Sequence, residues 1–385
     1  MPTQSWTIID ADKNHFDADF AAHGSLRPGM PDGWSIKHRV LRGGKSDGVS
    51  LIELNNGRMT LAVLPTRGMG IWRAWMDGKE LGWRSPVRGP VHPRYVPLFD
   101  PSGLGWLEGF DELVVRCGLA SNGAPDFDEQ GHLRYPLHGR IANLPATRVE
   151  AAVDEEAATI TLRGVVEETR FLFHALRLSA AVTTSFNSTS FTLDDQVQNV
   201  GGKAAAIQML YHINIGQPLL DPGSHLVAPI AKVAPRDKHA AEGMGSWRTI
   251  AAPMAGYEEQ VYFAELTGDD DGNTQVLLKN SAGNAGAQVR CSKQTLPYFV
   301  LWKNTVALPD GYVVGLEPAT NFPNPHTVEA RHRRVVNLPA GQAWRNTLHL
   351  DWLTSTDEVR TAEQQINALE GNTQPDIFDH PLPDW

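Results

Sequence analysis

Three short stretches of the chain carry residue types that move protons. Residues 315–324 read GLEPATNFPN, so Glu317 arrives at the end of an apolar, β-rich run and is followed at once by Pro318. Residues 208–220 read QMLYHINIGQPLL, where His212 interrupts an apolar strand and Asn214 follows on the same face. Residues 135–146 read YPLHGRIANLPA, with His138 directly before Gly139 and Arg140. Glutamate and histidine are the usual general base and general acid. Each also has an ordinary reading, as a hydrogen-bonded strand residue or a turn residue. A His/His/Glu set can also bind zinc, but no HxH or HExxH spacing accompanies it, and no metal is expected. No GxSxG elbow appears, and neither Cys117 nor Cys291 has a histidine nearby in sequence, which argues against a nucleophilic triad.

The elements that must position these residues are strands. Gly 35 and Pro 26 punctuate many short runs of alternating polarity, the pattern of an all-β protein. Alternation is visible in VSLIEL (49–54), MTLAVLP (59–65), ATITLRGVV (158–166), HALRLSAAVTTSF (174–186), TQVLLKN (274–280) and YFVLWKN (298–304). In IWRAWMDGKELGW (71–83) the Asp77-Gly78 pair suits a type I′ hairpin turn. Residues 335–352 read as two strands joined at PAGQ. One helix is predicted, over 355–372, from the spacing of Val359, Ala362, Ile366 and Leu369, with a cap at Ser355 or Thr356. The residues beyond it are expected to form an extended tail. With no repeat or linker composition, residues 1–385 are expected to form a single domain, a large antiparallel β-sandwich with few helices.

Bulk properties narrow the function. The net charge is −10 with both signs spread along the chain, which argues against nucleic acid or an anionic membrane as partner. Two distant cysteines make no disulfide framework. No signal peptide or membrane-length apolar run is visible, so a cytoplasmic location is expected. A sandwich with exposed edges often pairs, which leaves a homodimer as an expectation.

Taken together and in this order, LHG, YHINIG and GLEP resemble the galactose mutarotase (aldose 1-epimerase) superfamily. The resemblance spans residues 48–352. WLEGFDELVVRCGLASNG (106–123), with the His-Gly segment after it, resembles a less characterised branch. The resemblance implies a supersandwich of antiparallel sheets with an open sugar-binding cleft and no cofactor. It implies Glu317 as general base, His212 as general acid and His138 as a contact near the ring oxygen. GYEEQVYF (256–263) resembles the segment in which Gly-Tyr precedes a sugar-binding aspartate. Glu258 takes that place, with Glu259 as the alternative register. Arg67, in LPTRGMGIW, resembles the family's early substrate-contacting arginine, and Asn214 joins the set from beside His212.

Such residues suit ring opening of a hemiacetal. One group removes the proton of the anomeric hydroxyl while the other protonates the ring oxygen, and reversal after rotation about C1–C2 gives the other anomer. The expected activity is exchange of α and β anomers of an aldose. Epimerisation at another carbon and a non-catalytic sugar sensor are the alternatives. Trp302 could stack on a sugar or lie in the core. Lys303, with Arg116 and Arg140, is expected to contact the anion of an acidic or modified sugar.

Overall fold

The computed structural model describes residues 3–26, 33–371 and 374–385. Strands dominate, in a ten-stranded and a fourteen-stranded sheet. Their pairings are antiparallel apart from one, between Ile230–Pro235 and the short tail strand Asp376–Ile377. The inner faces bury one continuous apolar cluster to which both sheets contribute, for example Leu162, Leu178 and Leu348 from one and Ile213, Leu301 and Leu316 from the other. This is the expected all-β antiparallel sandwich. The alternating runs form strands as expected, including Thr159–Arg170, His174–Ser185 and Tyr298–Asn304. Asp77 and Gly78 take φ of 50° and 73° between Gly70–Met76 and Lys79–Leu81, as a type I′ turn requires.

Two expectations need refinement. The strands on either side of PAGQ exist, but Val336–Leu338 pairs with the His212 strand whereas Ala343–Leu353 lies in the ten-stranded sheet. The chain therefore changes sheets at this turn. The helix runs Thr356–Glu370, capped by the Ser355 side chain, and buries Val359, Ala362 and Ile366 against Leu277. Asn372, at the end of its expected range, lies outside the described residues. Short helices at Lys238–Glu242 and His326–Arg331 carried too little periodicity to be read.

The part of the fold that positions the site is a run of five strands in the larger sheet. In spatial order they are Gln260–Leu266, Tyr298–Asn304, Val313–Ala319, Ala205–Ile215 and Val114–Leu119. Because side chains alternate, every second residue faces outward and its neighbour enters the sandwich. Arg116 and Tyr211 point inward. Arg116 makes a paired salt bridge to Asp195 of the opposite sheet, at 2.6 and 2.9 Å, and donates to the Met69 carbonyl. The Tyr211 hydroxyl donates to the same carboxylate at 2.9 Å. This network lies in the interior between the sheets. Removing one member of a buried pair leaves the other uncompensated, which costs about 3–5 kcal/mol. Asp195→Ala is expected to lower the unfolding free energy by about that amount in denaturant titration. A loss below about 1 kcal/mol would show that the network does not hold the sheets together.

Candidate active site

Glu317 faces outward between Val300 on one neighbouring strand and His212 on the other, a placement set by the Val300–Glu317 and Ile213–Leu316 registers. The His212 Nε2 and Glu317 Oε1 atoms are 3.2 Å apart, too poorly aligned for a formed hydrogen bond. Both residues are nearly closed off, at 4% and 3% exposure. Gly315, one step along the row, makes room for them. A Cβ there would sit 2.5 Å from Glu317 Oε1 and 3.1 Å from His212 Cε1.

An aromatic box surrounds the pair. Phe110 and Trp302 meet the His212 ring edge-on, at 5.1 and 5.3 Å between centroids. Trp106 packs on Phe110 and on His138. His138 stands at right angles to His212, 5.4 Å away. Its backbone has φ of 55°, unusual for a residue with a side chain, and Gly139 after it has φ of 71°. A Cβ at Gly139 would strike the Ser121 and Gly118 carbonyl oxygens, so the His-Gly motif is a steric requirement. The Nδ1–H of His138 donates to the Asn122 carbonyl at 2.9 Å. Its Nε2 is then a lone-pair acceptor.

Asn122 also ties this loop to the one after Glu317. Its side-chain amide exchanges two hydrogen bonds with Asn321, at 3.0 and 2.9 Å. Thr320 bonds both backbone groups of Met209 on the His212 strand. Phe322 is stacked against Phe263 at 4.6 Å and covered by Trp385 from the tail at 4.8 Å. The turn after Glu317 is held on every side, which accounts for the Pro- and Asn-rich stop.

Burial sets the protonation states. It pushes the Glu317 carboxyl well above its ordinary range, helped by the nearby Glu259 carboxylate and opposed by Arg236. It drives His212 well below its ordinary value, with further lowering from His138 and partial compensation from Asn214. His138 is lowered to about 4, again by burial, against the hydrogen bond to Asn122 and the Glu259 charge. At neutral pH the Glu317, His212 and His138 side chains are thus driven toward their uncharged forms. Glu317 Oε1, His212 Nδ1 and Asn214 Oδ1 are all buried without partners. Unsatisfied buried atoms cost about 1–3 kcal/mol each, and three together mark a site shaped for a polar ligand.

The family model described as a domain of unknown function (DUF4432) matches residues 46–351. The chain belongs to this family. A crystal structure described as a "putative aldose 1-epimerase" from Klebsiella pneumoniae subsp. pneumoniae matches with a TM-score of 0.95 at 32% identity, covering 99% of both chains. A galactose mutarotase-like protein from Clostridium acetobutylicum matches at TM-score 0.57 and 15% identity, over 83% of this chain and 98% of that one. A galactose mutarotase related enzyme from Lactobacillus acidophilus matches at 0.54 and 12%, over 80% and 98%. These last two show the shared fold. No curated protein matches the sequence. The DUF4432 chain is thereby placed in the galactose mutarotase (aldose 1-epimerase) superfamily, in agreement with the motif order.

Of the residues singled out in this DUF4432 chain, Glu317, His212, His138 and Asn214 come together, and Trp302 faces the same site. The structure places the remaining residues as follows. Glu258 is solvent-exposed, with its backbone carbonyl beside His239. Glu259 is the residue that reaches the site, taking the Trp302 indole N–H at 2.6 Å and Arg236 at 3.2 Å. Arg67 is buried and occupied: it bonds Glu112, the Val91 and Gly109 carbonyls and Asn143, leaving a single N–H. Lys303 alternates with Trp302 and therefore points away, donating to the Ser246 and Thr249 carbonyls, and burial lowers it to about 8. Arg116 serves the sheet interface, and Arg140 lines a separate small cavity with Phe99, Arg134 and His174, which includes none of His138, His212 and Glu317.

A cavity of 1190 Å³ lies elsewhere, on the ten-stranded sheet between residues such as Arg163, Ser179, Gln196 and His349. No aromatic side chain lines it, and none of the site residues above reaches it. The buried Glu317–His212 pair and the aromatic box lie apart from it. Among the described residues, no three His, Cys, Asp or Glu side chains are grouped to hold a metal ion. No helix among them is long and apolar enough to cross a membrane.

The tautomer of His138 is directly measurable. Long-range ¹H–¹⁵N spectra are expected to show Nδ1 protonated and Nε2 bare, with the ring neutral down to about pH 4. Titration near pH 6.5, or a protonated Nε2, would remove His138 as a hydrogen-bond acceptor for ligand.

Proposed function

We propose that this protein exchanges the α and β anomers of a free, uncharged aldose by acid/base ring opening. The observation that carries the reading is the buried, unpartnered Glu317–His212 pair, 3.2 Å apart on one face of the sheet. The two oxygens that must lose and gain protons are attached to the same anomeric carbon, so two adjacent proton-transfer groups can serve both. Superfamily membership supports the assignment of Glu317 as base and His212 as acid.

The pair needs one proton between its two members. Burial favours that proton on Glu317. Transfer to His212 leaves the net charge of the pair unchanged and gives the carboxylate and imidazolium that the reaction uses. The carboxylate takes the anomeric hydroxyl proton as the imidazolium protonates the ring oxygen, and the ring C–O bond breaks to give the open aldehyde. Rotation about C1–C2 turns the other carbonyl face toward the returning hydroxyl. The reverse transfers then close the ring and restore the pair. His138, neutral and with a bare Nε2, accepts a hydrogen bond from a sugar hydroxyl. Glu259 offers a further acceptor at the rim, and Trp302 a ring face.

A neutral substrate suits the electrostatics. Lys303, Arg116 and Arg140 face away, and Arg236 is already paired with Glu259 and Asp237. A sugar carboxylate would meet Glu259 with little free positive charge to offset it.

NMR saturation transfer between anomers, across neutral and acidic aldoses, tests the proposal. Wild type is expected to accelerate exchange of a neutral aldose, and Glu317→Gln to lose about 10²–10⁴-fold, the usual contribution of one proton-transfer group. Binding without accelerated exchange for any sugar would replace this reading with a sensor. A product changed at another carbon would replace it with an epimerase. The single-proton form of the pair sets the pH dependence. A second proton is gained only below the ordinary histidine value of 6.5, and the last is lost only well above the ordinary carboxylate value of 4.5. Activity should show a plateau between two apparent pKa values that belong to the pair. A single inflection near 6.5 would mean that His212 titrates as an exposed histidine. Gly315→Ala, which thrusts a methyl group between the pair, should reduce exchange at least tenfold, with overpacking costing about 1–3 kcal/mol in stability. Unchanged exchange in that variant would show that the contact distance does not matter.

A further inference from the structure

The hairpin joining Thr159–Arg170 to His174–Ser185 ends in Phe171, Leu172 and Phe173, which are 86%, 77% and 56% exposed. Turns ordinarily carry Gly, Asn, Asp or Ser. Leu172 moreover has φ of 70°, a left-handed conformation that glycine adopts freely and leucine only at a cost. The tip has internal ties. The Phe173 N–H donates to the Arg170 carbonyl at 2.9 Å, and the Arg170 guanidinium lies 3.9 Å over the Phe173 ring. Lys203 Nζ donates to the Leu172 carbonyl at 3.1 Å. The result is a tied-down apolar knob on the surface, kept despite a backbone conformation that disfavours it.

The knob continues into a wider patch. A small cavity behind it is lined by Arg170 and His174 together with Phe99, Arg134 and Tyr135, which brings Phe99, 53% exposed, alongside. Leu104, also exposed, follows Gly103, which lies against Pro125 and Leu133. Leu133 pairs in turn with the exposed Phe127. At ~200 Å² for a whole side chain, the phenylalanines at 99, 127, 171 and 173 leave on the order of 500 Å² in water. Monomers rarely expose a contiguous apolar patch of more than a few hundred Å². The same area is more than half of the ~800 Å² that each partner gives to a standard interface.

We propose that this patch is the two-fold interface of a homodimer. The charges around it favour a second copy of the chain. Arg170 and Lys203 flank the hairpin, whereas the loops carry Asp100, Asp128 and Glu129, together with Arg134 and Arg140 beside Phe99. A two-fold axis that lays the hairpin of one copy on the loops of the other sets apolar side chains against apolar ones and opposite charges against each other, twice over. The interface would also press on the loop carrying Trp106, whose ring packs on His138.

Sedimentation velocity of the full chain, from about 1 to 50 μM, tests this directly. Wild type is expected at twice the 42.3 kDa chain mass. The double variant Phe171→Glu/Phe173→Glu should sediment as a monomer with unchanged circular dichroism. Leu172→Gly, which relieves the backbone and cannot disturb the core, should weaken the dimer at least tenfold while preserving or raising the melting temperature. A wild type that is monomeric throughout, or a dimer that both variants leave intact, would overturn the proposal. A monomer that co-sediments with anionic phospholipid vesicles through the same residues would overturn it in favour of a lipid surface.

Discussion

Arg116 and Asp195 meet between the two sheets with both charges out of water, and their geometry fixes what happens on the outer surface. Arg116 sits between Val115 and Cys117, whose side chains face the site, and Tyr211 sits directly before His212. The inward members of these strands are fastened to the opposite sheet through one carboxylate. The outward members therefore have little freedom to rotate or slide. A one-residue slip of the His212 strand would send its imidazole into the core and break the network at the same time. The ion pair is a costly way to join two sheets, given the desolvation of both charges. What it adds over an apolar contact is a defined register.

The site itself is the converse case, with Glu317 and His212 buried beside each other and, among the described residues, no cation paired to the carboxylate. Surface glutamates and histidines at neutral pH would be mostly carboxylate and neutral imidazole, with water on both. Here water is excluded by Trp106, Phe110 and Trp302, so each group is driven toward its uncharged form. A low-dielectric surrounding makes a transient charge pair depend strongly on what is bound between and around it.

Much of this arrangement could be read from residues in order. Alternating runs and turn residues indicated the sheets, and three short motifs indicated the strands and loop that meet at the site. The failures have local causes. Glu258 and Glu259 precede the strand that begins at Gln260, so alternation could not be carried back to decide between them, and one residue's difference reverses the direction of a side chain. Lys303 was read as site-facing although its neighbour Trp302 holds that side. The pattern shows that the two diverge, and only the packed sheet shows which one faces outward. Arg67 finds its partners 24 to 76 residues away, and nothing in its own neighbourhood announces them. Asn122 and Asn321 were visible within the motifs, but as ordinary loop amides.

The Asn122–Asn321 amide pair joins positions 199 residues apart. Together with the Ala124 N–H, which donates to the Pro323 carbonyl at 2.9 Å, it couples the loop that orients His138 to the loop that follows Glu317. Contacts of such long sequence separation come late in folding, because chain entropy must be lost before they are rewarded. A chain emerging from the ribosome thus holds both histidines well before their setting exists. The setting of the two histidines is completed only when the later segment around Asn321 has joined it.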